Sequence, residues 1–364
     1  MFEVSTSTAS HVQGDVQDSQ LMIIDLLRHA VRRHPRQEIV SRRLEGDIHR
    51  YTYRDCYDRT CQLAHALKGL EIEAGERVAT LAWNTYRHVE LYYAVSGIGA
   101  VIHTVNPRLI AEQIKWILDD AQASWLFVDS SFVPLLDEFA NELKTVKGIV
   151  ILTDESMQPQ LDHIWLPVHN YESLIAKQTP QFDWPTFSEN TAALLCYTSG
   201  TTGNPKGVLT SHRSTVLHAQ ATMSAELLDL RTDTVLMPMV SMYHVGAWGA
   251  PYAAPLAGSK LVLPGAGMGG ADMHELISEE KVTVGLGVPT IWLTLHNYLS
   301  EHQLDIPSLE RVCVGGAASP LGLVKTYDEK YNVYWQPIWG MTETGPLACS
   351  APPTAELKAL PAEE

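Results

Sequence analysis

A loop rich in glycine and hydroxyl side chains follows an apolar run near the middle of the chain. Residues 192–196 are apolar and predict a buried strand, and residues 197–208 then read YTSGTTGNPKGV. Glycines let a loop turn so that successive backbone N–H groups point into one concavity, which binds anions. Lys206 adds a positive charge suited to phosphate oxygens. Further donors come from four hydroxyl side chains, those of Thr198, Ser199, Thr201 and Thr202.

The loop predicts a phosphate site that differs from the commonest nucleotide loop. The common pattern is G-x-x-x-x-G-K-[ST], whereas here Pro205 occupies the position of the second glycine and Gly207 follows the lysine. A nucleoside triphosphate site of a different kind is therefore expected. The alternative is a surface turn rich in glycine and threonine, which needs no ligand.

The segment YTSGTTGNPKGV resembles the phosphate loop of the adenylate-forming superfamily, which includes acyl-CoA synthetases, peptide-synthetase adenylation domains and luciferases. The resemblance implies that the loop holds the β- and γ-phosphates of ATP, that Lys206 is catalytic and that Thr198 helps to hold Mg²⁺. The nucleotide-binding residues that it implies here are Thr198, Ser199, Gly200, Thr201, Thr202, Gly203 and Lys206.

Composition and charge restrict the class of protein. The chain has 364 residues, 45% of them hydrophobic and 19% charged, which allows a large core and more than one lobe. A net charge of -16 argues against nucleic acid as the main partner. Five scattered cysteines without a C-x-x-C pair favour a reducing compartment. Neither a secretory signal nor an apolar run near the roughly 18 residues of a membrane span is visible, so a cytoplasmic location is expected.

Strand and helix patterns alternate along the chain. This alternation predicts an α/β fold with two stacked lobes, each a mostly parallel sheet flanked by helices. We predict a flexible arm at 1–19, a first lobe at 20–186, a second lobe at 187–350 and a tail at 351–364. The predicted strands are 78–82, 99–103, 124–128, 234–237, 260–263, 282–286 and 311–314. The predicted helices are 21–31 (capped by Asp18 or Ser19), 52–70, 87–96, 111–121, 214–229, 244–254, 272–280, 290–299 and 321–331.

A second informative stretch, residues 238–249, reads PMVSMYHVGAWG. Alone, a histidine among such residues is ordinarily a core residue. Beside the loop, the stretch resembles the wall of the carboxylate pocket in medium- and long-chain fatty acyl-CoA synthetases. The resemblance implies that His244 and Val245 border the acyl-adenylate and that Trp248 gates an acyl tunnel, and a wall of this composition suits an alkyl chain.

Residues 287–290 and 315–320 read GVPT and GGAASP, and each follows a predicted strand. The first resembles the acyl-pocket segment of the family, with Val288, Pro289 and Thr290 on the substrate, although a simple strand-to-helix turn is the alternative. The second has small residues that allow a flat base to lie against the backbone. By resemblance Gly315, Gly316 and Ala317 contact the adenine, and Gly315 also meets the acyl group.

The last motif, residues 339–345, reads WGMTETG. A carboxylate near a phosphate loop suits a hard cation such as Mg²⁺. The family pattern implies that Glu343 binds magnesium and that Thr342 contacts the α-phosphate. The nucleotide contacts implied here are Trp339, Gly340, Met341 and Thr342, and the catalytic residues implied overall are Lys206, His244, Thr342 and Glu343.

A glycine-rich stretch at 265–270, GAGMGG, matches G-x-G-x-x-G but lacks the acidic residue that a dinucleotide site needs roughly 20 positions later. We interpret it as a loop. The chain also lacks zinc-ligand and serine-hydrolase motifs.

These patterns predict an AMP-forming ligase that activates a fatty or other carboxylic acid with ATP and Mg²⁺, with coenzyme A as the second substrate of the family. A homodimer is possible. The family's small C-terminal domain is not expected in this chain, which leaves its own activity open. Two alternatives stand: a shortened, non-catalytic nucleotide- or acyl-binding module, and a synthetase for an aromatic or short-chain acid.

Overall fold

A computed structural model describes residues 16, 18–198 and 204–360, apart from the side chain of Lys358. In this part of the chain the strands are β1 Glu38–Arg42, β2 Ile48–Thr52, β3 Arg77–Leu81, β4 Val101–Thr104, β5 Ala123–Asp129, β6 Ile149–Leu152, β7 Val168–Asn170, β8 Ala192–Thr198, β9 Lys206–Ser211, β10 Val235–Pro238, β11 Lys260–Leu263, β12 Val284–Gly287, β13 Arg311–Val314, β14 Tyr334–Gly340 and β15 Leu347–Ser350. The helices are α1 Ile23–Arg33, α2 Tyr53–Gly69, α3 Tyr86–Gly97, α4 Ala111–Asp120, α5 Val133–Leu136, α6 Tyr171–Ile175, α7 His212–Thr222, α8 Val245–Trp248, α9 Ala250–Ala257, α10 Gly270–Glu280, α11 Pro289–His302, α12 Leu321–Tyr331 and α13 Ala355–Lys358. Short 3-10 turns lie at Ser130–Phe132, Ala140–Glu142, Glu155–Met157 and Thr342–Thr344.

The strands form two sheets. One has seven strands in the order β7-β6-β5-β3-β4-β8-β9, and only β9, at its edge, is antiparallel to its neighbour. The other has eight strands in the order β15-β14-β13-β12-β10-β11-β1-β2, with antiparallel β15 and β2 at its two edges. Helix α1 packs against α2, α3, α7 and α9 in a core shared by both sheets. The predicted α/β fold with mostly parallel sheets is confirmed.

The division between the sheets does not follow the predicted lobe boundary. Strands β1 and β2 lie early in the chain, yet β1 pairs with β11 in the eight-stranded sheet. The hairpin β8–β9 lies after the predicted boundary, yet β8 pairs with β4 in the seven-stranded sheet. Each sheet therefore contains strands from both sides of residue 186, and the lobe bounds themselves stay predictions.

Most predicted elements lie within a few residues of their predicted bounds, whereas seven strands of the described residues were not predicted: β1, β2, β6, β7, β9, β14 and β15. Strands β1 and β2 carry charged side chains, and Arg50 of β2 forms an ion pair with buried Glu280 of α10. Their apolar alternation is therefore obscured. Strands β6 and β7 are only four and three residues long, which is too short for a clear periodic signal.

The beginning of α1 differs from its prediction. Neither Asp18 nor Ser19 caps the helix, because it begins after Met22, which makes no side-chain capping bond. Instead the N–H of Ile23 donates to Nδ1 of His212, at 3.2 Å. The predicted cap was wrong because the acceptor for the first N–H of α1 is a side chain of α7. Local sequence cannot indicate a partner so far along the chain. Across the described residues, no helix has the length and apolar composition that a membrane crossing requires.

Candidate active site

Four neighbouring parallel strands of the eight-stranded sheet bring the predicted site segments together. Strands β14, β13, β12 and β10 lie side by side and parallel. The segments that follow them are 341–344, 315–317, 288–290 and 239–249. The carboxyl ends of parallel strands meet at one edge of a sheet, where ligands of α/β proteins bind. Segments that were separated by up to a hundred residues in the sequence thus border one crevice.

Gly315 and Gly316 form a flat surface in this crevice. A Cβ atom at Gly315 would lie 2.9 Å from the backbone oxygen of Ile338 and 3.4 Å from the ring of Trp248. Gly316 has a φ of +79°, and a Cβ there would lie 3.2 Å from the side chain of Val288. The lack of side chains therefore allows the close approach of Trp248 and Val288. Ala317 beside them is exposed.

The segment that leads to His244 is fastened to the other sheet. The Asn84 side chain, which follows β3, donates to the backbone oxygens of Pro238 at 3.0 Å and Val240 at 2.8 Å. Its oxygen accepts the N–H of Met242 at 2.6 Å. The Tyr92 hydroxyl donates to the backbone oxygen of Met242 at 2.5 Å. These bonds make Asn84 and Tyr92 positioning residues for the crevice.

His244 itself has an exposed side chain. The protein around its ring removes part of its solvation, which lowers the pKa of the imidazole. This shift favours the neutral form of the ring.

The predicted helix 244–254 is wrong in its first half. Residues 245–249 have φ values of +48°, +57°, +50°, +56° and +80°, so that α8 is a single left-handed turn. A left-handed conformation costs about 1–2 kcal/mol for each residue with a side chain. Helical periodicity did not indicate this conformation, because Val245, Ala247 and Trp248 ordinarily avoid it. The right-handed helix α9 begins only at Ala250.

Tertiary contacts hold the left-handed turn in place. The thiol of Cys196 in β8 lies beneath the turn, close to the backbone N–H groups of Val245 and Gly246, and burial raises its pKa. A Cβ atom at Gly246 would lie 3.5 Å from the ring of Tyr92. One at Gly249 would lie 2.9 Å from Nδ1 of His218. The turn is thus clamped between the two sheets, with Trp248 directed against Gly315.

The Glu343 segment forms the opposite border of the crevice. Thr342 is buried in the 3-10 turn, whereas Glu343 is exposed. The Met341 N–H donates to the Thr344 hydroxyl at 2.9 Å. The side chains of Trp339 and Met341 are 56% and 45% exposed, so they are accessible to a flat ligand above the glycine surface.

Gly340 fixes the spacing of this segment. A Cβ atom there would lie 2.0 Å from the backbone oxygen of Pro346. Beyond this point, the N–H of Leu347 donates to Nε2 of His218 at 3.0 Å. The Glu343 segment is therefore tied to α7, the helix that follows the glycine-rich hairpin.

The β8–β9 hairpin carries the glycine-rich loop at the edge of its sheet. Thr198 pairs with Lys206, whose side chain is exposed, and the Thr198 hydroxyl donates to the Lys206 backbone oxygen at 3.5 Å. The predicted residues Ser199, Gly200, Thr201, Thr202 and Gly203 lie outside the described residues, and their roles stay predictions.

The remaining predicted substrate residues follow β12. Pro289 is buried and Thr290 is exposed in the first turn of α11, and the half-buried Val288 contacts the glycine surface. The bend after β12 thus contributes to the crevice wall through Val288.

The donors near Glu343 fit a nucleotide-bound magnesium ion. Mg²⁺ usually takes one or two protein carboxylates, with phosphate and water as its other ligands. Among the described residues no group of three or more His, Cys, Asp or Glu side chains could hold a metal by itself. A single exposed carboxylate therefore suits an ion that arrives with its nucleotide.

Sequence reasoning did not identify His218, Tyr92, Asn84 or Gly340 as positioning residues. His218 and Leu347 are 129 residues apart, and Asn84 and Met242 are 158 apart. A single sequence has no signal for such contacts. Gly340 lay inside a recognised motif, but its role depends on the return of β15 beside it.

The fold and these segments define an α/β domain with a ligand-binding crevice at the carboxyl ends of its parallel strands. The chain belongs to the AMP-binding enzyme family, which matches residues 27–362. The resemblance drawn from the sequence is thereby confirmed.

Two relatives show 41% identity to the chain. They are the 3-methylmercaptopropionyl-CoA ligase of Ruegeria lacuscaerulensis, with 96% of this chain and 65% of the relative covered, and the medium-chain-fatty-acid–CoA ligase of Ectopseudomonas oleovorans, with 94% and 62% covered. The chain thus spans somewhat less than two thirds of their length. The anthranilate CoA ligase AuaEII, solved with anthranoyl-AMP, has a TM-score of 0.82 at 24% identity, with 90% of this chain and 61% of that chain covered. That likeness concerns the fold.

Proposed function

We propose that the chain binds ATP with Mg²⁺ and a fatty acid and forms an acyl-adenylate, as the adenylating part of an AMP-forming acid–thiol ligase. The observation that supports this most is the convergence of the glycine surface, the Trp248 turn and Glu343 at four adjacent strand ends. Coenzyme A would take up the acyl group in the second step. The homodimer and the cytoplasmic location stay predictions.

In the proposed reaction a carboxylate oxygen of the acid attacks the α-phosphorus of ATP. The bond between the α-phosphorus and the oxygen that bridges to the β-phosphate breaks, and pyrophosphate leaves with the electron pair of that bond. Lys206 and the loop would bind the β- and γ-phosphates, and Thr342 would orient the α-phosphate. Glu343 would hold Mg²⁺, which neutralises phosphate charge when bound. The packed turn at Trp248 would exclude the water that hydrolyses a mixed anhydride.

The acyl groups of the relatives favour an aliphatic acid over an aromatic acid. Val245, Trp248 and Val288 supply apolar surface in the crevice wall, and the relatives named above act on 3-methylmercaptopropionyl and medium-chain acyl groups. A non-catalytic module is less well supported, because Lys206 and Glu343 are both present and exposed.

Calorimetry on the 364-residue chain tests the proposal directly. We expect saturable binding of a non-hydrolysable acyl-sulfamoyl adenosine with an octanoyl chain, and Mg²⁺-dependent binding of ATP. Adenosine alone should bind at least about tenfold more weakly than the acyl mimic, because it lacks the acyl and phosphate-like contacts. A chain that binds no mimic would refute the adenylation proposal.

Glu343→Gln should weaken ATP binding in the presence of Mg²⁺ by about tenfold, because a neutral amide is a poor ligand for a hard cation. Binding of ATP in EDTA should stay the same. Isothermal titration with and without Mg²⁺ measures the difference. Glu301→Gln changes an exposed carboxylate at the end of α11 and serves as the matched control. An unchanged magnesium dependence in Glu343→Gln would remove this residue from the metal site.

Trp248→Ala should shift the preferred acyl mimic toward longer chains, because removal of the indole opens space beside Gly315. We expect the ratio of dodecanoyl to octanoyl affinity to rise about tenfold or more, the effect of burying extra methylenes. Trp165→Ala is the control, since Trp165 is 83% exposed on a distant loop. If the ratio is the same in both variants, Trp248 does not limit the chain length.

A further inference from the structure

The ring of Tyr197 lies across the end of the β8–β9 hairpin that carries Lys206. Tyr197 of β8 pairs with Gly207 of β9, directly beside the pair formed by Thr198 and Lys206. A Cβ atom at Gly207 would lie 3.3 Å from two atoms of the Tyr197 ring. The ring therefore packs on the bare backbone of the residue that follows Lys206. An aromatic side chain opposite a glycine in an edge strand secures the pairing of the two strands.

The Tyr197 side chain is itself held by helix α4 and strand β4. Its hydroxyl donates to Oδ2 of Asp120, the last residue of α4, at 2.6 Å. The rings of Trp116 in α4 and His103 in β4 lie 6.3 and 5.3 Å from the Tyr197 ring, centre to centre. Burial and the hydrogen bond to Asp120 raise the pKa of Tyr197, so the phenol keeps its proton and donates. Tyr197 thus joins β9 to a helix that packs on the body of the seven-stranded sheet.

The position of β9 at the edge of its sheet makes this contact important for Lys206. Within the described part of the chain, β9 pairs with β8 alone. Lys206 is the first residue of β9 and its side chain is exposed. The pairing with β8 and the packing of Tyr197 on Gly207 therefore fix the backbone from which the Lys206 ammonium extends.

We propose that Tyr197, held by Asp120, is a positioning residue that directs Lys206 toward the β- and γ-phosphates of ATP. This inference depends on the ATP binding proposed above. Neither side chain contacts the nucleotide, and both act through the backbone of β9. The ammonium of Lys206 is a point charge on a flexible stem, and a shift of that backbone weakens its contact with phosphate oxygens. The loss is confined to ligands that carry the β- and γ-phosphates.

Calorimetry on the whole 364-residue chain tests this role by comparing ATP in Mg²⁺ with the octanoyl sulfamoyl adenosine, which lacks the β- and γ-phosphates. Tyr197→Phe keeps the ring and removes the hydroxyl, and Asp120→Ala removes its acceptor. Each should weaken ATP binding by about threefold to tenfold and leave the affinity for the mimic unchanged. Asp120→Asn also removes the charge but keeps an acceptor oxygen, so it should retain most of the affinity for ATP. The double variant Tyr197→Phe with Asp120→Ala should bind ATP no more weakly than either single variant, since both changes remove the same bond.

Tyr57→Phe is the matched control. Tyr57 is also half-buried with a bonded hydroxyl, which accepts the Nε1–H of Trp184 at 3.2 Å, but it lies in α2. It should leave both affinities unchanged.

Two results with Tyr197→Phe would overturn the positioning role and leave the adenylation proposal standing. One is unchanged binding of ATP, and the other is an equal loss for ATP and the mimic, which would mean that the bond merely stabilises the fold. An Asp120→Asn variant as weak as Asp120→Ala would also overturn the role, because the charge of Asp120 alone would then account for the effect. If the unmodified chain binds neither ATP nor the mimic, the adenylation proposal and this inference fail together.

Discussion

Replacing Arg59 with methionine is expected to lower the free energy of unfolding by about 3–5 kcal/mol, the usual cost of removing one partner of a buried ion pair. Arg59 of α2 donates to Glu90 of α3 at 2.7 Å and to Glu172 of α6 at 3.0 Å. The Glu90 side chain has no solvent exposure. Without Arg59 its carboxylate would be left uncompensated in the interior.

The surrounding charges support this expectation. Burial raises the pKa of Glu90, against the lowering effect of Arg59. Burial also raises the pKa of Glu172, but Arg59 and Arg87 together lower it to about 2. Arg87 extends the network to Glu45, which follows β1, at 2.8 Å. The network therefore joins helices α2, α3 and α6 to the β1–β2 hairpin, which forms one edge of the eight-stranded sheet.

Urea unfolding at pH 7 measures the effect of Arg59→Met. The control is Arg28→Met, which removes an exposed pair with Asp25 on α1 and should change stability by less than about 1 kcal/mol. The double variant Arg59→Met with Glu90→Gln should recover part of the loss, since it removes the orphaned charge. Equal small losses in the two arginine variants would mean that solvent reaches Glu90.

This network also shows where sequence reasoning ends. The helices that carry Arg59 and Glu90 were predicted from periodicity, but nothing in a single sequence pairs residues 31 positions apart. Segments such as those of Gly315 and Glu343 could be located because they resemble the motifs of the family, and the roles of these residues stay predictions. The turn at Val245 could not be predicted, because tertiary contacts with Cys196 and Tyr92 override its local preference.

Lowering the pH from 7 to 5 is expected to destabilise the fold strongly, because three fully buried histidines are neutral in it. Burial lowers the pKa of His88 to about 4, of His103 to about 3 and of His212 to about 4. The ordinary value in the unfolded chain is about 6.5. Between these two pKa values the unfolded state binds more protons than the folded state. The contribution of the three neutral histidines to the free energy of unfolding is therefore fully present above about pH 6.5 and is lost as the pH falls toward 4. Each histidine then contributes a loss of about 2 kcal/mol at pH 5.

The buried acid Asp129 opposes this effect without cancelling it. Burial raises the pKa of Asp129 to about 7, so its contribution to stability increases as the pH falls from 7 to 5, by about 2 kcal/mol. For these four groups together the net expectation is a loss on the order of 4 kcal/mol, measured by urea unfolding at pH 7, 6 and 5. His103 has no partner for either ring nitrogen among the described residues, and His103→Leu should therefore reduce the pH dependence by about one proton. His302→Gln alters an exposed histidine and should leave the pH dependence intact. If His103→Leu and the unmodified chain lose stability in parallel, His103 is already protonated or hydrated in the folded state, and the acid sensitivity arises elsewhere.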